Sequence, residues 1–121
     1  MSKTLYTILA TVLLVPALAF AQAPAKTIDG VLTNDAGMTL YTFDKDSAGK
    51  SVCNGTCATN WPPLTAAADA KASGEYSIVA RDDGSKQWAY KSKPLYTWAK
   101  DKKAGDKGGD GAGGLWQSAK P

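Results

Sequence analysis

The sequence predicts a mainly β fold: one small domain of short antiparallel strands, built from two similar halves, with a short helical turn near the Cys-x-x-x-C segment. Three observations lead to this prediction. β-branched and aromatic residues occur in short runs that turn-forming residues separate. A motif around Tyr41 returns around Tyr96. The 100 residues at positions 22–121, which follow a predicted signal peptide, are enough for one small core but not for two independent ones.

The amino-terminal segment predicts a secretory signal peptide rather than part of the fold. Lys3 supplies a short positive region, and a mainly apolar run at residues 5–20 follows it. Ala19 and Ala21 are small residues at the positions that a signal peptidase reads, so we expect cleavage after Ala21. The apolar run is short for a membrane span, and Pro16 interrupts it. We therefore expect a periplasmic or secreted protein with no stable membrane span after cleavage.

Removal of the signal peptide, residues 1–21, leaves a chain with a simple expected organisation. Residues 22–26 form a flexible tail, and residues 27–121 form a single β-rich domain. This domain contains two internal repeats, at about 30–64 and 76–118. No cysteine stands at the predicted cleavage site, so we expect no lipid anchor.

The first repeat begins with two predicted strands that a turn joins, at residues 31–43. Asn34 and Gly37 mark the turn, because an asparagine side chain bonds to nearby backbone groups and a glycine accepts a positive φ. On the second strand Tyr41 and Phe43 share one face, since side chains alternate along a strand.

A short helical turn is expected near the two cysteines. Asn54 is its predicted cap, and Pro62 and Pro63 end it directly after Trp61. Residues 65–74 are rich in alanine but have no apolar stripe, so they predict either a weak surface helix or a loop.

The second repeat predicts a hairpin, one more strand and a loop. Strands at residues 76–81 and 86–91 flank a turn at residues 82–85. Residues 93–98 predict another short strand. Five glycines among residues 108–114 predict an irregular loop that contributes no core.

The two halves align with each other at an offset of 55 residues. The register holds for the motif and for a distant tryptophan, which indicates an internal duplication. Each half is too small to bury its rings, so we expect the halves to pack about a rough two-fold axis with these rings as the core. Each motif aspartate is expected to accept hydrogen bonds from turn N–H groups or from a tyrosine hydroxyl, with the same role in both halves. The aligned pairs are Tyr41 and Tyr96, Phe43 and Trp98, Asp46 and Asp101, and Trp61 and Trp116.

Both copies of the motif fit the pattern Y-x-(F/W/Y)-x-x-D, at Tyr41–Asp46 and at Tyr96–Asp101. With the intervening CNGTCATNWPPL block, they make the chain resemble the bacterial secreted-repeat proteins, which are often described as predicted lipoproteins with a Yx(FWY)xxD motif. The resemblance covers about residues 30–116. It implies export and a repeated small β-rich unit. The function of that family is unknown, so the resemblance implies no activity.

The amino-acid composition excludes several classes of catalytic and metal-binding protein. The chain has no histidine, which excludes Ser-His-Asp and Cys-His catalysis, haem attachment through CxxCH and zinc sites that use imidazole. The net charge of +3 falls to +2 when Lys3 leaves with the signal peptide. Because the signs are mixed along the chain, we expect no nucleic-acid partner.

Cys53 and Cys57 are expected to form a disulfide, because an oxidising compartment favours it and only three residues separate them. The alternative is a periplasmic thiol redox or copper-handling protein that uses this pair. Copper(I) sites of that kind normally recruit a histidine, and Met38 is the only methionine after the signal peptide.

Two groups of aspartates offer weaker functional hypotheses. Asp44 and Asp46 alternate and could share a strand face as a glycosidase pair does, but Glu75 is the only glutamate and is not near, so a solvated turn rim is the favoured interpretation. Asp101, Asp106 and Asp110 lie among glycines as in a calcium loop, but the EF-hand pattern is not met and lysines interrupt the run. We therefore expect no catalytic residue, no cofactor and no metal site.

The sequence as a whole predicts an exported module with a structural or ligand-binding role rather than an enzyme. Its partner is expected to be a small molecule, a glycan or a protein, because exposed aromatic rings suit stacking on sugars or peptides.

Overall fold

The computed structural model describes residues 23–121, and the predicted signal peptide lies outside the described residues. The fold is mainly β, as predicted, with short antiparallel strands in small sheets and one helical turn. Within residues 23–121, no helix combines the length and the apolar character needed to cross a membrane. The strands are β1 (Lys26–Ile28), β2 (Val31–Thr33), β3 (Tyr41–Phe43), β4 (Thr65–Ala66), β5 (Tyr76–Ala80), β6 (Lys86–Tyr90), β7 (Lys93–Pro94) and β8 (Trp116–Ser118); helix α1 spans Thr56–Asn60 and a 3-10 turn spans Ala112–Gly114.

The turn between β2 and β3 has the chemistry that its sequence predicts. Asn34 Oδ1 accepts hydrogen bonds from the backbone N–H groups of Ala36 and Met38, both at 3.0 Å. Gly37 has a φ of 81°, a conformation that suits glycine. Local side-chain bonding therefore sets the path of the chain into the first motif.

Strand β1 forms a hairpin with β2 that the sequence pattern did not predict. Lys26, expected in the flexible tail, is the first residue of β1, and Thr27 lies opposite Leu32 of β2. Asp29 and Gly30 form the two-residue connection with φ values of 52° and 78°. An Asp-Gly pair is a hairpin signal, because such a turn requires positive φ at both positions.

The hairpin of the second repeat forms as predicted. Strands β5 and β6 pair antiparallel, with Ile78 opposite Trp88, and Gly84 in the turn has a φ of 87°. Of the two alternatives for residues 65–74, the weak helix is wrong: residues 65–66 form β4, and the remainder is irregular.

Helix α1 lies beside the predicted disulfide, which the structure confirms: the Sγ atoms of Cys53 and Cys57 are 2.05 Å apart. The predicted cap is wrong. Gly55 occupies the N-cap position, and no side chain caps the helix. The Asn54 amide instead donates a hydrogen bond to Asp82 Oδ2 at 3.0 Å. Asn54 therefore bonds to the second repeat rather than to the backbone of α1.

Each repeat contributes its last segment to the other repeat. Strand β8 closes the second repeat but pairs with β3 of the first, with Ser118 opposite Tyr41. Residues 61–63, which align with β8 at the 55-residue offset, close the first repeat, and Pro63 bridges to Tyr96 of the second. Strand β4 follows and pairs with β6. Between these exchanges Tyr41 and Tyr96 lie opposite each other, and the backbone N–H of each donates to the carbonyl of the other at 2.7 and 3.0 Å. This reciprocal contact lies where the two repeats meet.

The core has an aliphatic part and an aromatic part. Leu32, Leu40 and Leu95 form the centre of the aliphatic part and are 2% exposed or less. Leu40 and Leu95 directly precede the motif tyrosines. Because successive side chains point to opposite faces, the leucine packs into the aliphatic part and the tyrosine into the aromatic part. The aromatic part contains the motif rings and forms the candidate site.

Candidate functional site

Each motif tyrosine donates a hydrogen bond to the motif aspartate of the other repeat. Tyr41 Oη lies 2.6 Å from Asp101 Oδ2, and Tyr96 Oη lies 2.6 Å from Asp46 Oδ2. Both tyrosine side chains are fully buried. The tyrosine and the aspartate of the same motif therefore do not bond to each other. Each bonds to its counterpart in the other repeat, and these two bonds join the repeats.

The same carboxylates hold the loops that follow the motifs. Asp46 Oδ1 accepts a hydrogen bond from the backbone N–H of Val52 at 2.8 Å, and Asp101 Oδ1 accepts one from Gly108 at 3.1 Å. Each aspartate thus accepts a backbone bond and a tyrosine bond, which are the two kinds of bond that its position suggested.

Burial changes the acid–base behaviour of these groups. Burial, and then the hydrogen bond to Asp101, raises the pKa of Tyr41 far above its usual value; burial and the bond to Asp46 do the same to the pKa of Tyr96. Burial also raises the pKa of Asp46, although the bonds from Tyr96 and Val52 oppose this shift. Both phenols consequently stay protonated donors throughout the physiological pH range.

Four aromatic rings stack in a row through the centre of the domain. Trp98, Trp61 and Trp116 form what we call the indole row, and Phe43 extends it beyond Trp116. Successive ring centroids are 5.2, 3.8 and 4.2 Å apart, and successive ring planes differ by 17°, 3° and 12°. Two further rings, which we call the buried tyrosines, pack edge-on against it: Tyr41 against Trp61 at 5.4 Å and Tyr96 against Trp116 at 5.1 Å.

Two glycines close over the indole row. A Cβ atom on Gly109 would lie 2.9 Å from both Tyr41 Cζ and Trp61 Cη2, and one on Gly108 would lie 2.8 Å from Trp98 Cζ3. The N–H of Gly109 also donates to Tyr41 Oη at 3.2 Å. The expectation that the glycine-rich loop contributes no core is therefore wrong for these residues, whose backbone packs where a side chain would not fit.

An open, mainly apolar groove of about 370 Å³ runs over one end of the indole row, and we call it the Trp98 groove. The Trp98 side chain is half-buried there, and Lys100 Nζ lies 5.9 Å from its ring centroid. The surfaces of three indoles thus reach one groove. Its lining includes Asn60, Trp61, Trp98, Lys100, Leu115 and Trp116.

Sequence reasoning missed a buried arginine. Arg81 is 6% exposed, and its guanidinium donates to Ser51 Oγ, Gln87 Oε1 and the Cys53 carbonyl at 3.0, 2.7 and 2.6 Å. Ser51 Oγ in turn lies 2.6 Å from Tyr96 Oη. The arginine therefore fastens the cysteine loop to the second hairpin. An arginine beside a polar turn is usually exposed, so its burial carries no local signal.

The two aspartates of the glycosidase hypothesis, Asp44 and Asp46, have different hydrogen-bond partners. Asp44 accepts two hydrogen bonds from Gln117 Nε2, at 2.8 and 3.0 Å. Asp46 bonds to the buried Tyr96 as described. Both line a shallow cleft of about 300 Å³, whose rim includes Lys91 and Lys93.

The aspartates of the calcium hypothesis also point to separate partners. Asp101 holds Tyr41, Asp106 accepts backbone N–H bonds from residues 102 and 103, and Asp110 accepts one from Ser118. In the part of the chain that the structure describes, no three His, Cys, Asp or Glu side chains are grouped to hold a metal ion.

Exchanged strands, reciprocal tyrosine–aspartate bonds and a shared row of rings define a duplicated β domain whose motif residues lie in its core. A family model described as a secreted repeat of unknown function matches residues 24–65 and, a second time, residues 77–120. The chain belongs to this family and carries two copies of the repeat, which confirms the resemblance found in the sequence. It is accordingly an exported protein. No curated protein and no solved structure matches the chain.

Proposed function

We propose that the protein acts in the periplasm or outside the cell as a non-catalytic ligand-binding module, and that its ligand binds in the Trp98 groove. One observation carries this proposal. The polar groups of both motifs are occupied by bonds between the repeats, whereas the groove presents indole surface to solvent. The motif therefore builds the domain, and the groove beside it is an open surface that offers indole rings to a ligand.

The chemistry of the groove favours a glycan. An indole face offers an apolar platform for the C–H face of a sugar ring, and Asn60 and Lys100 offer hydrogen bonds to sugar hydroxyls at its rim. A shallow and open surface suits one or two rings of an oligosaccharide better than it suits a small molecule that needs enclosure.

Binding to an array of soluble oligosaccharides tests this proposal with the mature protein. Trp98→Ala should abolish the binding of any glycan that the wild type retains, because it removes the platform. Trp88→Ala is the matched control, since Trp88 is also a half-buried indole but lies in β6, outside the Trp98 groove. Retention of no glycan, or glycan binding that survives Trp98→Ala, would overturn the assignment to sugars.

The alternative role as a thiol redox or copper-handling protein is distinguishable. The two cysteines are joined, and Cys53 is fully buried against the aromatic core, which supports a structural disulfide. Thiol titration of protein purified from the periplasm should give no free thiol, and mild reductant should not change this. A pair that is readily reduced and then binds copper(I) would instead favour the alternative.

A further inference from the structure

The indole row contains three of the side chains that lose a single electron most easily. Indole and phenol are the most readily oxidised aromatic side chains, and here they occur in contact with one another. Successive indoles are stacked, with ring centroids 5.2 and 3.8 Å apart, so an electron crosses only a short distance between neighbouring π systems. A hydrophobic core can bury aromatic rings without arranging them in one continuous stack.

We propose that the indole row relays single electrons from the buried tyrosines to a one-electron oxidant at the Trp98 groove. The oxidant is of the outer-sphere class, such as an oxidised metal complex, which takes an electron without forming a bond. The proposal concerns a different activity from glycan binding and does not depend on it.

An oxidant reaches the indole row at its Trp98 end. Its Trp98 end is half-buried and lines an open groove, whereas Trp61 and Trp116 are 7% and 6% exposed. At the opposite end the position equivalent to Trp98 is Phe43, whose benzene ring is much harder to oxidise. The replacement of the tryptophan by Phe43 in the first motif therefore leaves the Trp98 end as the oxidisable end of the row.

The tyrosine end has what phenol oxidation needs, which is a proton acceptor. A phenol that loses an electron becomes strongly acidic and must release its proton. Tyr96 Oη already donates to Asp46 at 2.6 Å, and Tyr41 Oη donates to Asp101 at the same distance. Burial raises the pKa of Asp46, which makes its carboxylate a better base.

The electron and proton balance is complete for a single one-electron oxidation of the protein. The oxidant gains one electron from Trp98, and each indole of the row is then refilled by the next one inward. The last electron comes from the tyrosine, whose proton moves to its aspartate. The net change is one reduced oxidant, one neutral tyrosyl radical and one protonated carboxylate, and every indole returns to its starting state.

Flash photolysis with tris(bipyridine)ruthenium(III), generated photochemically, tests the relay in the mature protein with its disulfide intact. The background variant carries Tyr76→Phe and Tyr90→Phe, so that a phenoxyl radical can form only at the buried tyrosines. We expect the transient absorption of an indole radical to decay as that of a phenoxyl radical rises. An indole radical that decays with no phenoxyl signal would overturn the proposal.

Two substitutions locate the path. Trp98→Phe keeps a ring in the stack but removes the oxidisable entrance, and it should remove most of the phenoxyl yield. Trp88→Phe removes an indole whose ring contact is with Tyr76 rather than with the row, and it should leave the yield unchanged. Circular dichroism confirms the fold of each variant. Equal phenoxyl yields from the two variants would show that electrons do not travel along the indole row.

Discussion

The phenol of Tyr41 bonds at 2.6 Å to the carboxylate of Asp101, a residue sixty positions further along the chain. Its counterpart, between Tyr96 and Asp46, joins the same two repeats in the opposite direction. Both bonds are short and involve a charged acceptor, which places them among the stronger hydrogen bonds in proteins. They explain why the same short motif is present twice in one chain.

Removal of either motif carboxylate should destabilise the whole domain. Asp46→Ala and Asp101→Ala each leave a buried phenol without its acceptor, and each should lower the free energy of unfolding by about 1–2 kcal/mol. Urea denaturation measures the change. Asp69→Ala, at an exposed aspartate, is the matched control and should have little effect. If both motif variants unfold like the wild type, the reciprocal bonds do not contribute to stability.

Stability should fall at alkaline pH because of the buried tyrosines. Their folded-state pKa values are raised, so the folded state keeps its phenol protons while unfolded tyrosines lose theirs above about pH 10. The contribution of each tyrosine is complete below that pH and is lost as the pH rises, by at most about 1.4 kcal/mol per pH unit. Urea denaturation between pH 9 and pH 12 measures the slope. The slope should be smaller in Tyr41→Phe/Tyr96→Phe; an equal slope would assign it to other groups.

A methyl group at Gly109 should disturb the indole row. Its Cβ atom would collide with Tyr41 and Trp61, so Gly109→Ala should destabilise the protein by about 1–3 kcal/mol and alter the near-ultraviolet circular dichroism. Gly111→Ala is the control, because its φ of 82° imposes strain but no atom lies within 4 Å of the added group. That variant should lose stability, by roughly 1–2 kcal/mol, without a change in the aromatic spectrum. Identical spectra for both variants would contradict the packing shown here.

The two repeats should not fold separately. Fragments 22–71 and 72–121 each lack the partner of their last strand and the partner of their motif tyrosine. We expect each fragment alone to lack near-ultraviolet circular dichroism as a monomer, and the mixture to recover it with one cooperative unfolding transition. A monomeric fragment that unfolds cooperatively on its own would show that the domain consists of independent halves.

Local chemistry was readable from the sequence where the relevant partner is near in the chain. The Asn34 turn, the hairpin around Gly84 and the Cys53–Cys57 disulfide all join residues a few positions apart. The repeat could also be recognised, because self-similarity requires no knowledge of the fold. It correctly implied two halves and a shared aromatic core.

Contacts between the repeats were beyond local reasoning. Asn54 has the residue type of a helix cap, but Asp82 is a competing partner that only the assembled fold supplies. Arg81 and Gly109 have the sequence context of a turn and a flexible loop, yet both are buried by the opposite repeat. The exchange of the last segments is likewise a long-range choice, since segments of three residues carry no register information of their own.

The exchange of β8 and residues 61–63 has an evolutionary consequence. A single repeat would leave its final segment unpaired and its phenol without an acceptor, and a second identical molecule could supply both. This arrangement is the one that fusion of two subunits of a symmetric homodimer would produce. Relatives with an odd number of repeats should then associate between polypeptides, since the unmatched copy can complete its sheet only in another molecule.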